Sequence, residues 1–293
     1  MTLFTQDSTF LDYIRGGLRI NLCVAVDMTG GDNSDPMSPD SLHYLQPRTG
    51  ENVYTTAIRT VGDILQDYDY DKKILGLGFG SKVGGVVRHC HPLNDNPKDP
   101  YCRGVEGLLE SYKTTLNNGE KENRCSFNTP CRVSSKKCYI SSFVQQAIRV
   151  FLLGDLVSLL HRRSIDSSLV ATSLLFFKAK YFSVSLGEPT CYNEVLEYAA
   201  NDAIRAGSDV EYTVILLITD GGVTDFMQTK QVLVKLSSLP VSVVLVGVGH
   251  GDMTSLVQLD SDKARLCSGD TQASRDIVQF VGMKLFSSKL LRL

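Results

Sequence analysis

Four stretches of the chain are apolar almost without a break: residues 18–26 (LRINLCVAV), 74–79 (ILGLGF), 212–219 (YTVILLIT) and 241–248 (VSVVLVGV). β-branched and aliphatic residues dominate them, and strict alternation is absent. Strands that are apolar on both faces belong in a parallel sheet covered by helices on each side. Helical spacing fills the gaps. In 51–68, Val53, Ala57, Ile58, Val61, Ile64 and Leu65 recur at steps of three and four. Residues 105–116 follow, then 193–205 with Val195, Leu196, Ala199, Ala200 and Ala203, then 229–239, which Pro240 ends. Strands alternating with helices of this length predict right-handed βαβ units in a three-layer α/β fold, with a doubly wound, mostly parallel sheet. Residues 277–285 suit either a further strand or a closing helix.

One segment breaks the rhythm. Residues 119–183 carry ten Lys/Arg against four Asp/Glu, whereas the rest of the chain carries twenty against twenty-eight. The first part (KENRCSFNTPCRVSSKKC) is polar and turn-like; the second holds two apolar stretches, 143–160 and 169–182. Sixty-five residues far exceed an ordinary connection within such a domain. The segment therefore reads as an insertion in an otherwise acidic domain. Basic and apolar residues at helical spacing in 143–160 suit a membrane surface or packing on the protein itself. No uninterrupted apolar run reaches the length of a membrane span.

The remaining bulk properties narrow the class. The chain has 293 residues, 43% of them apolar, enough for one large domain or a standard one with an insertion. A net charge of -2 argues against nucleic-acid binding. The N-terminus has neither the basic start nor the apolar core of a signal peptide. Cys23 lies inside a strand-like run and Cys191 opens a helix-like one, so neither is placed for a staple; a reducing, cytoplasmic setting is expected.

The candidate chemistry lies where two strands stop. The first ends in Asp27-Met28-Thr29-Gly30-Gly31, the other in Thr219-Asp220-Gly221-Gly222. Ligands of an open parallel sheet bind outside the carboxyl ends of the strands, where strand order reverses. A carboxylate there, on a glycine turn, suits a hard divalent cation that keeps some of its waters. A strand-terminal Asp before Gly is equally a turn former or helix cap.

Beyond these patterns, runs of the sequence resemble the copine family and its von Willebrand factor A-type domain. They include FLDYI at 10–14 followed by Gly16-Gly17, DMTG at 27–30, SPDSLHYL at 38–45 and AIRTVGDILQDYDYDK at 57–72. LGFGSKV at 77–83, LNDNPKDPYCRGVEGLLESY at 93–112 and LLITDGGVTDFMQTK at 216–230 continue the series, with LPVSVVLVGVG at 239–249 and RDIVQFV at 275–281. The resemblance implies a lead-in segment at 1–17, an A-type domain over 18–286 interrupted at 119–183, and a tail at 287–293. Deleting 119–183 restores the family's continuity, so that stretch reads as a lineage-specific insertion or a gene-model error such as translated intron.

What the resemblance implies about the site is specific. A-type domains build a metal centre from three loops: Asp-x-Ser/Thr-x-Ser, a Thr, and an Asp before Gly. Asp27 and Thr29 match the first, Thr190 the second and Asp220 the third. Gly31 stands where the first loop expects a hydroxyl, leaving Ser34 or Asp32 to substitute. The implied function is a protein-binding module, not an enzyme, in which Mg2+ or Mn2+ meets an acidic side chain of a protein partner. Full-length copines also carry two C2 domains with Ca2+-dependent phospholipid binding. This chain is expected to lack them and to be a fragment of a longer copine or a domain acting alone. Cytoplasmic location is expected, with peripheral attachment at the plasma membrane the alternative. The competing functions are a scaffold associated with ubiquitin ligation and a relic unable to bind metal.

Other chemistries fit less well. A phosphatase nucleophile at Asp27 wants a second Asp where Thr29 stands. His89-Cys90-His91 reads as a short edge strand, whose neighbouring side chains point to opposite faces. Gly76-Leu77-Gly78-Phe79-Gly80 lacks the Lys-Ser/Thr of a phosphate loop, so its glycines serve packing or a bend. Cys125, Cys131 and Cys138 lack the paired spacing of zinc ligands.

Overall fold

The computed structural model describes residues 10–30, 35–83, 86–123, 184–207, 211–260 and 265–283. The chain divides into two compact units, Met1–Gly119 with Val184–Leu293, and Glu120–Ser183. Nearly all of the second lies outside the described residues, and with it Cys125, Cys131, Cys138 and both apolar stretches of the expected insertion. Gly31, Asp32 and Ser34 lie outside them as well.

In the first unit the apolar runs form the centre of a sheet. β1 (Arg19–Asp27), β2 (Lys73–Phe79), β8 (Glu211–Thr219), β9 (Val241–Gly247) and β12 (Val278–Gly282) are parallel to their neighbours, in the order β12-β9-β8-β1-β2. Two short strands, β5 (His91–Pro92) and β6 (Tyr101–Arg103), pair antiparallel with β2, and β10 (Cys267–Ser268) pairs antiparallel with β11 (Thr271–Gln272) in a separate two-stranded sheet. Of the stretch left open between strand and helix, 277–285, Val278–Gly282 form β12, and 284–285 lie outside the described residues.

Period-two burial builds one core on each face. Leu22, Val24 and Val26 of β1 join Val214, Leu216 and Ile218 of β8 on one side. Helices α2 (Val53–Gln66) and α3 (Gly104–Asn123) cover it through Tyr54, Ala57, Ile58, Leu108 and Tyr112. Cys23, Ala25, Ile215 and Leu217 face the other way, under α4 (Asn193–Ala206), α5 (Phe226–Leu236) and α6 (Thr254–Leu259). Each fully buried aliphatic or aromatic side chain contributes about 1.5–3 kcal/mol, so a sheet apolar on both faces is held by both layers. A short helix α1 (Phe10–Arg15) docks through Phe10 and Tyr13 on the Tyr212 ring, with the Arg275 guanidinium 5.0 Å from Tyr13. None of the helices among the described residues is long and apolar enough to cross a membrane.

Helix positions follow the spacing with two differences: α3 continues to Asn123, seven residues past the expected end at 116 and beyond the expected start of the insertion at 119, and α5 is displaced. α5 begins at Phe226, three residues before the expected start, and ends at Leu236, ahead of Pro240. The glycines of β2 serve close packing. A Cβ on Gly76 would meet Leu108 at 2.9 Å, and one on Gly78 would meet the His91 ring at 2.6 Å.

A second, three-stranded sheet decides the site. β3 (Ser81–Val83) pairs antiparallel with both β4 (Val86–Arg88) and β7 (Val184–Leu186). The register Ser81↔Leu186 sets the chain that follows β7 beside the end of β2.

Candidate functional site

Winding reverses at β1: the chain leaves it for β2 on one side, and β8 later joins it on the other. Ligands bind in the crevice at such a switch point. Asp27 is the last residue of β1, and Asp220 follows the last residue of β8 directly. The two carboxylates thus stand at the carboxyl ends of adjacent strands.

Asp27 is fully buried and held by three donors. The Thr29 amide and hydroxyl donate to its Oδ1 at 3.0 and 2.7 Å. The Thr219 hydroxyl donates to its Oδ2 at 2.6 Å. Thr219 in turn accepts from the Tyr192 hydroxyl at 2.7 Å. Burial nevertheless pushes the Asp27 carboxyl up to about 7, with the nearby Asp220 charge adding to it and the hydrogen bonds opposing. Burial also raises Asp220. Neither carboxylate forms an ion pair with Lys or Arg among the described residues.

Thr190 reaches this point from a distant part of the chain. Its hydroxyl donates to Thr29 Oγ1 at 3.1 Å, across a separation of 161 residues. Backbone contacts prepare the approach: the Gly187 amide donates to Gly80 O at 2.8 Å, and the Gly30 amide to Gly187 O at 3.1 Å. Both glycines are required. A Cβ on Gly187 would stand 2.6 Å from Gly80 O, and one on Gly80, where φ is +72°, would stand 2.2 Å from Thr29 Cγ2. The second loop is then tied to the third by the Thr224 amide, which donates to Thr190 O at 2.9 Å. Asp225 completes the tie. Its carboxylate accepts from the amides of Tyr192 and Asn193, each at 2.9 Å, and from the Thr229 hydroxyl at 3.0 Å.

Asp27, Thr29 and Thr190 therefore converge, with Asp220 close enough to act on the charge of Asp27. The proton directions matter. Thr190 donates to Thr29, and Thr29 donates to Asp27, so both hydroxyls keep an acceptor lone pair. Two carboxylates and two hydroxyls supply only oxygen donors, with excess negative charge that no Lys or Arg ion pair offsets among the described residues. A hard divalent cation fits that set. Among the described residues no three His, Cys, Asp or Glu side chains gather as a metal cluster; half of the oxygen donors at this rim are hydroxyls. Thr219, Tyr192 and Asp225 escaped the sequence reading, although Thr219 is the residue immediately before the strand-terminal Asp220.

The other sequence candidates are structural. His91 is buried, bonds Ser81 Oγ through Nδ1 at 3.2 Å, and is pushed down to about 4 by burial. Cys90 packs against the opposite core, and burial raises its thiol to about 12. The described cysteines, Cys23, Cys90, Cys102, Cys191 and Cys267, are all free thiols.

The copine family model matches residues 41–131 and 167–291, more than half of the chain. Protein BONZAI 1 of Arabidopsis thaliana is 33% identical over 285 residues. The alignment covers 96% of this chain and 38% of that protein, so the chain spans well under half of its relative's length. The family match takes in Thr190 and Asp220 and begins after β1, Asp27 and Thr29; on these two matches the chain belongs to the copine family.

Proposed function

We propose that this chain is a protein-binding module whose sheet rim holds a divalent cation, Mg2+ or Mn2+, and through it recognises an acidic side chain of a protein partner. Asp27 and Asp220 supply negative charge, and Thr29 and Thr190 supply hydroxyl oxygens. Such an ion keeps water-occupied positions that an outside carboxylate can take. The residues do the rest: Thr219 and Tyr192 hold the Asp27 carboxylate in place, and the Gly80–Gly187 approach holds Thr190 against Thr29.

The observation that carries this reading is the Thr190–Thr29 hydrogen bond at 3.1 Å, beside two buried or half-buried carboxylates that have no Lys or Arg ion pair among the described residues. Two such carboxylates are costly to ionise together, and a cation between them removes that cost. Calorimetric titration with Mg2+ and Mn2+, on the wild type and on Asp220→Ala, tests it. Weak binding that the substitution abolishes is the expected result. Equal heats in the two proteins would leave no ion site, and the relic reading would stand.

A further inference from the structure

The end of the sheet opposite the rim gathers positive charge that the proposed ion site does not use. Phe79 pairs with Asp27 at the rim, and Lys73, at the other end of β2, lies about 20 Å away. There a hollow of about 480 Å³ opens, lined by Gln66, Asp71, Lys72, Lys73, Arg103 and Gly104. It lies where β2 and β6 meet the last residue of α2 and the first of α3.

The backbone brings the three cations together. In the antiparallel pair of β2 with β6, Lys73 stands directly opposite Arg103. Residues so paired have Cβ atoms about 5 Å apart on one face of the sheet, where like charges repel. The Gly104 amide donates to the Lys72 carbonyl at 2.8 Å, which closes the ladder and sets Lys72 beside the pair. Both residues of this closure are left-handed, Lys72 at φ +57° and Gly104 at φ +59°; glycine takes that backbone freely and lysine rarely does. Gln66 holds α3 at the same point, its Oε1 accepting from the Val105 amide at 3.2 Å.

The nearby carboxylates do not neutralise this cluster. Asp71 Oδ1 accepts from the Lys73 amide at 2.9 Å, and its Oδ2 stands 3.6 Å from the Lys73 ammonium. Asp67 stands 3.9 Å from the Lys72 ammonium, which also donates to the Gln66 carbonyl. All four side chains are exposed, and exposed pairs at such distances are weak and exchange readily. Arg103 forms no ion pair among the described residues. Three cations against the one carboxylate in the lining leave an excess of two positive charges.

We propose that this hollow binds a phosphate group, carried by a soluble organic phosphate or by a lipid headgroup. Phosphate oxygens point in several directions, so one group can accept from the Arg103 fork and from both ammonium groups. The volume has room for the ring or chain that bears the phosphate. The bound anion also removes the repulsion between Lys73 and Arg103. No divalent ion takes part, so this site is independent of the rim.

The test uses the full chain in the presence of a chelator. Inositol trisphosphate is titrated by calorimetry. Sedimentation follows binding to phosphatidylcholine vesicles with and without the corresponding phosphoinositide. Arg103→Gln removes one charge from the hollow, and Lys235→Gln removes one from an exposed position on α5, on the other face of the sheet. Binding of at least one probe is expected, weakened about tenfold by Arg103→Gln, as for a lost hydrogen bond to a charged group, and unchanged by Lys235→Gln. That pattern in calorimetry assigns the phosphate to a soluble ligand; in the vesicle arm alone it assigns it to a headgroup. Wild-type protein that binds neither probe overturns the proposal, and so does equal binding by all three proteins or equal weakening by both substitutions. Thermal unfolding without ligand checks the fold: Arg103→Gln should melt no lower than the wild type, because one of two facing like charges has gone. Lys73→Gln breaks the same pair from the β2 side and must weaken binding in the same way; a variant that binds as the wild type does overturns the proposal.

Discussion

Asparagine at position 27 is expected to make the metal-free protein more stable at alkaline pH while removing a charge from the rim. The folded carboxyl of Asp27 titrates at about 7, against an ordinary value of 3.8. The sign follows from the proton count. Below 3.8 the folded and unfolded chains both hold the proton. Between 3.8 and about 7 only the folded chain holds it, so stability falls as pH rises; above about 7 the loss is complete. At 1.36 kcal/mol per unit, the full cost is about 4 kcal/mol. Asparagine avoids it but rearranges one hydrogen bond. Its carbonyl can still accept from the Thr29 amide and hydroxyl, whereas its amide must donate to Thr219 Oγ1. Thr219 then turns its proton to Gly221 O at 3.4 Å, a long bond, while still accepting from Tyr192. That exchange costs about 1 kcal/mol. Asp27→Asn should therefore exceed the wild type by about 3 kcal/mol near pH 8, and differ little near pH 5. Urea denaturation in the presence of a chelator, at both pH values, reads the difference. An Asn variant less stable than the wild type near pH 8 would refute the claim that the buried charge lacks a counter-charge.

Two further substitutions test the joints that assemble the rim. Gly187→Ala forces a methyl group to within 2.6 Å of Gly80 O and should cost about 1–3 kcal/mol in denaturation. It should weaken Mg2+ binding too, and unchanged stability would show that the two loops do not meet as described. Asp225→Ala removes the acceptor shared by the Tyr192 and Asn193 amides and the Thr229 hydroxyl, at an expected cost of about 1–2 kcal/mol in urea denaturation. An unchanged midpoint would mean that solvent satisfies those donors equally well.

Much of the fold was legible because the signals are local. The runs at 18–26 and 212–219 are apolar almost throughout and without strict alternation, as a doubly covered strand allows, and they became β1 and β8. Asp27 and Asp220 stood out because charge abruptly follows a buried run. α5 was misplaced by three residues because Asp225 reads as loop, and Phe226 and Met227 do not declare the helical period. Residues 277–285 were ambiguous because a short apolar stretch fits both periods; pairing with β9 makes Val278–Gly282 a strand.

The site was less legible, for a different reason. Thr219 looked like the last β-branched residue of a strand, and only the β1–β8 register, which pairs Val26 with Ile218, turns its hydroxyl onto Asp27, 192 residues away. Tyr54 had no place in the apolar pattern of 51–68; its ring partners His43 and Tyr112 come from two other segments. Thr190 was matched by resemblance, and the β3–β7 pairing is what brings it to Thr29. Periodicity and the polarity of strand ends are written residue by residue, so the chain alone determined the sheet and its two terminal carboxylates. Which hydroxyls meet those carboxylates depends on strand register and on glycines that let two loops touch, and contacts made through space carry no mark in the sequence between them.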